Sequence, residues 1–126
     1  MKCVFPIAII DDDPGVRGSL ETLLCAMGNT VHSYESGPAF LSRQDGMTLM
    51  SVLLDLRMDG MNGITVLDSI QRFDRPIPVT AMTAHANADV RETLLKRGAL
   101  DVLEKPFMPD QLFAALARSE TLLRLS

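Results

Sequence analysis

Four short apolar runs in this chain are each followed by residues able to do chemistry. Asp11, Asp12 and Asp13 follow the first, Asp55 another, Thr83 a third and Glu104-Lys105-Pro106 a fourth. Gathered at one place, Asp11, Asp12, Asp55, Thr83 and Lys105 would supply three carboxylates, a hydroxyl and an ammonium. Two unit charges about 4 Å apart repel by roughly 4 kcal/mol at an effective dielectric near 20. The carboxylates would therefore oppose folding unless a cation sat among them. A hard divalent ion answers that need, and Mg²⁺ (or Mn²⁺) takes a few carboxylates together with waters and phosphate oxygens. With Lys105 adding one more positive charge and Thr83 a hydroxyl, the set suits a phosphoryl group held beside a metal.

For those residues to meet, the apolar runs must be neighbouring strands. The runs at 4–10, 50–54, 77–82 and 100–103, with a weaker one at 30–34, are short and nearly continuous, as in parallel strands covered on both faces. Between them lie stretches of helical spacing. Val16, Leu20, Leu23, Leu24 and Met27 form one stripe, with Gly28 where a left-handed C-terminal residue is expected. Val66, Leu67, Ile70 and Phe73 form a second. Val90 and Leu94 form a third that ends at Gly98, and Leu112, Leu116 and Leu123 form the last, opened by Pro109-Asp110. A short helix capped by Ser36 is expected over 37–43. The alternation predicts an α/β fold, a doubly wound five-stranded parallel sheet with helices on both faces. In such sheets ligands bind beyond the carboxyl ends of the strands, where the strand order reverses. Each polar residue also has a plain structural use. Asp13 before Pro14 is most simply a helix N-cap; Asp11, Asp12 and Asp55 could be turn residues, Thr83 a cap and Lys105 a solvated charge. Their joint occurrence at the ends of four strands favours a site.

Composition narrows the function. A chain of 126 residues makes one domain, expected over residues 1–126 with no output domain attached. Sixteen acids against twelve bases give a net charge of -4, which repels phosphate backbones, and one Tyr, five Phe and no Trp offer few stacking platforms. Direct nucleic-acid binding is not expected. Cys3 and Cys25 cannot make a disulfide scaffold or a zinc site and are expected to be buried thiols. No segment approaches the roughly 18 apolar residues of a membrane span. The N-terminal apolar run, broken by Pro6 and ended by aspartates, lacks a signal-peptide cleavage site. The expectation is a cytoplasmic protein with no membrane partner.

The residues Ile9-Ile10-Asp11-Asp12-Asp13, Leu54-Asp55-Leu56-Arg57-Met58, Met61-Asn62-Gly63, Met82-Thr83-Ala84 and Glu104-Lys105-Pro106-Phe107, in this order and strand context, resemble the receiver domain of bacterial two-component response regulators over essentially the whole chain. The resemblance implies that Asp55 is the phosphoacceptor, taking a phosphoryl group from a phosphohistidine on a sensor histidine kinase or phosphotransfer protein. It implies that Asp12 binds Mg²⁺ directly and Asp11 mainly through water, with Asp55 and the backbone carbonyl of Arg57 completing the set. Thr83, followed by Ala84, would bond the phosphoryl group, and Lys105, aimed into the pocket by a cis peptide bond between it and Pro106, would neutralise it. Arg57 and His85 would control the access of water for dephosphorylation, Arg57 by shielding and His85 by orienting water. The face built from 89–97, 100–103 and 111–123 would report phosphorylation to partners, including a second copy of the chain as a homodimer. Such a domain is a signalling switch rather than an enzyme with its own turnover substrate, its chemistry limited to its own phosphorylation and dephosphorylation.

Two positions depart from the family pattern. Asp59 stands where proline is usual, adding negative potential near the site. Val102 stands where an aromatic gate is usual. These departures motivate an alternative, a degenerate receiver that binds partners without phosphorylation. An aspartyl-nucleophile phosphohydrolase is disfavoured because Arg57 occupies the position of its second carboxylate. A flavin carrier of similar layout is disfavoured because no Ser/Thr/Gly-rich loop follows Ile10.

Overall fold

The computed structural model of the chain describes residues 5–42, 49–57, 63–73 and 77–125, with residues 123–125 described by backbone alone. Met58, Asp59, Met61 and Asn62 therefore lie outside the described residues, as do Cys3 and the side chain of Leu123. Five strands alternate with five helices: β1 (Ile7–Ile10), α1 (Pro14–Ala26), β2 (Val31–Tyr34), α2 (Gly37–Ser42), β3 (Ser51–Asp55), α3 (Gly63–Gln71), β4 (Val79–Thr83), α4 (Ala88–Lys96), β5 (Asp101–Glu104) and α5 (Pro109–Leu125). All pairings are parallel, with Ile7 opposite both Val31 and Ser51, Val52 opposite Val79 and Thr80 opposite Asp101. The resulting order is β2-β1-β3-β4-β5. Successive strands run outward in opposite directions from β1, so the reversal of strand order falls between β1 and β3.

The strands are apolar throughout because both faces are covered. On one face Ala8, Ile10, Val52, Leu54, Val79 and Ala81 pack against Phe40 of α2, Val66, Leu67 and Ile70 of α3, and Leu94 of α4. On the other, Ile7, Ile9, Leu53, Met82 and Leu103 pack against Leu20 and Leu24 of α1 and Leu112, Ala115 and Leu116 of α5. The period of two along each strand thus divides the apolar residues between two cores.

Local chemistry sets the helix ends. The Asp13 carboxylate accepts from the Gly15 and Val16 N–H groups at the start of α1, and Ser36 Oγ accepts from Ala39 N. Gly28 and Gly98 adopt φ of 89° and 108° beyond α1 and α4, as the left-handed termination requires. Three expectations need correction. The first strand begins at Ile7 and leaves out Phe5 and Pro6 of the expected run: Pro6 has no N–H to give and only accepts, from Met50 N at 2.8 Å, whereas Ile7 N donates to Thr30 O at 2.9 Å. Met27 is the C-cap of α1 and is 42% exposed, so it leaves the buried stripe. Cys25 is exposed rather than buried, because it lies one position beyond Leu24 and turns away from the core.

Candidate functional site

The carboxyl ends of β1, β3, β4 and β5 meet on one edge of the sheet, and the residues singled out by type arrive there together. Asp11 is fully buried just past β1 and Asp12 is exposed beside it. Asp55 is the last residue of β3, Thr83 the last of β4, and both are buried. Lys105 follows the last residue of β5, its backbone N–H donating to Thr83 O at 2.7 Å. The Lys105-Pro106 peptide is cis, as the resemblance implied.

Lys105 Nζ lies 3.0 Å from Asp11 Oδ2 and 3.4 Å from Asp55 Oδ1, a half-buried cation shared by two buried carboxylates. Each carboxylate has a second anchor. The backbone N–H of Asp13 donates to Asp11 Oδ1 at 3.0 Å, and that of Arg57 donates to Asp55 Oδ1 at 3.2 Å. Burial pushes the Asp55 carboxyl above its ordinary value, and the Asp11 charge adds to this; the Arg57 N–H and Lys105 oppose them without cancelling them. Burial by itself would lower the Lys105 ammonium, but the hydrogen bond and charge of Asp11, then those of Asp55, hold it above its ordinary value. One cation therefore leaves the carboxylates short of positive charge.

The donor set fits a hard cation. One carboxylate oxygen from each of Asp11, Asp12 and Asp55 lies within 4.8 Å of the other two. Oxygen ligands alone, few in number and with one exposed member to leave room for water, match Mg²⁺ rather than a softer metal. Of the other expected residues, Arg57 and His85 are exposed, Ala84 is exposed between Thr83 and His85, and Val102 is buried in the core beneath α4. Thr83 Oγ1 accepts from the His85 N–H at 3.2 Å.

Three further residues shape the site. Arg17, in the first turns of α1, donates to the Asp11 carbonyl at 2.7 Å and fixes the turn that aims the aspartates. Gly63 lets the start of α3 approach the end of β3: a Cβ there would lie 2.6 Å from Leu56 Cα and 2.7 Å from Asp55 O. Glu104 Oε2 accepts from Ala86 N at 3.1 Å across the β4–α4 loop. A glycine in an otherwise apolar helix start is the one sequence signal among these. The partners of Arg17 and Glu104 are set by tertiary placement.

Comparison with known proteins bears on the whole unit. A family model described as the response regulator receiver domain matches residues 7–117. The chain is 37% identical over 110 residues to the transcriptional regulatory protein FixJ of Bradyrhizobium diazoefficiens, covering 87% of this chain and 54% of FixJ. It is 35% identical over 111 residues to the DNA-binding transcriptional regulator NtrC of Escherichia coli strain K12, covering 88% of this chain and 24% of NtrC. Among solved structures it superposes on FixJ-N with a TM-score of 0.86 at 30% identity, over 96% of each chain. It matches the receiver domain of NtrX from Brucella abortus with a TM-score of 0.83 at 26% identity, over 91% of this chain and 98% of that one. The chain spans about half the length of FixJ and about a quarter of NtrC.

Proposed function

The chain belongs to the response regulator receiver domain family, and from that premise we propose that it is a phosphoacceptor switch in which Asp55 takes a phosphoryl group from a phosphohistidine. The observation that carries this reading is the sharing of Lys105 between Asp11 and Asp55 at the reversal of strand order, with an Asp12 oxygen close by. The site is short of positive charge without a cation and has the donors to hold one. A receiver domain over residues 1–126, acting in the cytoplasm, is part of the same proposal; among the described residues no helix is long and apolar enough to cross a membrane.

In the transfer, an Asp55 carboxylate oxygen bonds to phosphorus as the P–N bond to the donor imidazole breaks, and the imidazole leaves with a proton. Phosphoryl transfer asks mainly for positioning and charge stabilisation. The Arg57 N–H holds Oδ1 and orients the nucleophile, while Lys105 stays in place to meet a phosphoryl oxygen. Asp11, Asp12, Asp55 and the Arg57 carbonyl would hold Mg²⁺, which when bound supplies neutralisation of the phosphoryl charge. Thr83 can exchange its bond with the His85 N–H for one to the phosphoryl group, which links the site to the β4–α4 loop. The face over 89–97, 100–103 and 111–123, with Leu95 and Leu122 at 50% and 41% exposure, is the proposed reporting surface and the seat of a homodimer. A sensor kinase or phosphotransfer protein is the proposed donor, with no direct nucleic-acid contact by this domain.

Beryllofluoride, a phosphoryl mimic, tests the reading. In Mg²⁺ it should bind the wild type and perturb amides at the β4–α4 loop and on the reporting face, and Asp55→Asn should abolish the response. Equal binding by the variant would overturn the assignment. Absence of binding by the wild type would favour the degenerate receiver.

A further inference from the structure

Ala86 is a buried loop residue whose two backbone polar groups are both taken by long side chains from other elements. Its N–H donates to Glu104 Oε2 at 3.1 Å, from the end of β5. Its carbonyl accepts from Arg91 Nε at 3.1 Å, and the same guanidinium donates through Nη1 to the Val102 carbonyl at 3.0 Å. Glu104 and Arg91 thus grip one residue from two sides and tie the β4–α4 loop to β5 and to α4 at once. Ala86 itself is 8% exposed within the core that includes Leu94 and Val102. A planar guanidinium spanning two carbonyls is directional in a way that an ammonium is not.

The loop between Thr83 and Ala86 has a second tether, at its other end. Thr83 Oγ1 accepts from His85 N, while the Thr83 backbone is fixed by the pairing of Thr83 with Glu104 and by the bond from Lys105 N to Thr83 O. Turning the Thr83 hydroxyl towards a phosphoryl group on Asp55 needs only rotation of its side chain, and that rotation frees the His85 N–H. From then on the grip on Ala86 decides how far the loop follows. Val102, small and buried, brings no ring into the loop to share this task.

We propose that Glu104 and Arg91 are positioning residues that latch Ala86 and hold the β4–α4 loop in the conformation where Thr83 is bonded to His85, so that the latch sets the cost of switching. The inference rests on the reading of Asp55 as phosphoacceptor. Bonds from a charged group are the stronger kind, and a latch closed in only one of two states biases the equilibrium by its differential strength. Releasing it should therefore tighten binding of a phosphoryl mimic, which requires the other state.

The test is beryllofluoride affinity in Mg²⁺ for the wild type, Glu104→Ala and Arg91→Ala, with Glu104→Gln and Arg91→Lys as variants that keep the side-chain bulk. Each is measured also in a Thr83→Ala background, and the Ala86 amide is followed by NMR. The expected result is affinity about fivefold tighter in the alanine variants, a smaller gain in Gln and Lys, and loss of the gain when Thr83 is absent. Lower unfolding stability with unchanged affinity would assign Glu104 and Arg91 a merely structural role and overturn the proposal. Weaker binding would overturn it too, by placing the latch in the switched state. Failure of the wild type to bind would overturn the phosphoacceptor reading and the latch with it, whereas a wild type that binds with variants equal to it removes the latch alone.

Discussion

Replacing Lys105 by methionine keeps an unbranched chain of similar length and deletes the charge shared by Asp11 and Asp55. At 3.0 and 3.4 Å from the two carboxylates, the ammonium attracts each by about 5 kcal/mol at an effective dielectric near 20. Most of that attraction offsets desolvation, and breaking a well-buried pair costs about 3–5 kcal/mol. The Lys105 side chain is 26% exposed, so water and relaxation lower the expected loss to about 2–3 kcal/mol. The pH dependence has a definite sign. Lys105 is raised above its ordinary value of 10.5 in the fold, so its contribution is full below that value and lost as pH rises through the higher folded one. Asp55 is raised above 3.8, so the penalty of its charge is absent in acid and grows as pH rises from 3.8 through its folded value. Lys105→Met should therefore cost most near neutral pH and progressively less towards acid, where Asp55 binds a proton. The assay is urea unfolding of both proteins with a chelator and again with saturating Mg²⁺. The deficit should shrink by at least half in Mg²⁺, because a cation at Asp11, Asp12 and Asp55 replaces the lost charge. A deficit below about 0.5 kcal/mol, or one that Mg²⁺ leaves unaltered, would refute the electrostatic reasoning.

Other perturbations bear on the same site. Asp55→Asn should stabilise the metal-free protein at neutral pH by removing the charge that burial and Asp11 oppose, a gain that vanishes below pH 3.8 and is read by calorimetric unfolding across pH. Gly63→Ala places a Cβ against the Leu56 backbone and the Asp55 carbonyl; it should cost about 2 kcal/mol in urea unfolding and weaken Mg²⁺ affinity by displacing Asp55. Arg57→Ala should speed loss of the phosphoryl group several-fold, about 1 kcal/mol in barrier, with His85→Ala slowing it, both followed by intact mass at fixed Mg²⁺. An unchanged rate in Arg57→Ala would discard its shielding role.

The parts of the fold legible in the sequence were those fixed by local chemistry. Asp13 before Pro14, Gly28 and Gly98 after the helices, and Ser36 before α2 each act within a few residues of themselves, and all behave as read. The gathering of Asp11, Asp55, Thr83 and Lys105 was legible for a different reason. In a parallel sheet every strand ends at the same edge, so residues that follow apolar runs must converge. What the sequence hid depends on angular placement or on distant partners. Leu24 and Cys25 are both apolar in type, yet one step of the helix turns the second into solvent. Phe5 extends the first apolar run, but pairing cannot begin before Pro6. The bond from Arg17 to the Asp11 carbonyl and the double grip on Ala86 by Glu104 and Arg91 join residues whose meeting no spacing rule foretells.

The central claim, that the Asp55 carboxylate is the phosphoacceptor, is tested most directly by trapping the product. The protein is incubated with acetyl phosphate and Mg²⁺, reduced with borohydride, which converts an aspartyl phosphate to homoserine, and mapped by peptide mass spectrometry. Homoserine should be found at position 55 alone, and only when Mg²⁺ is present. Its appearance at Asp11 or Asp12 instead, or its absence from position 55 in protein that has gained a phosphoryl group, would contradict the account.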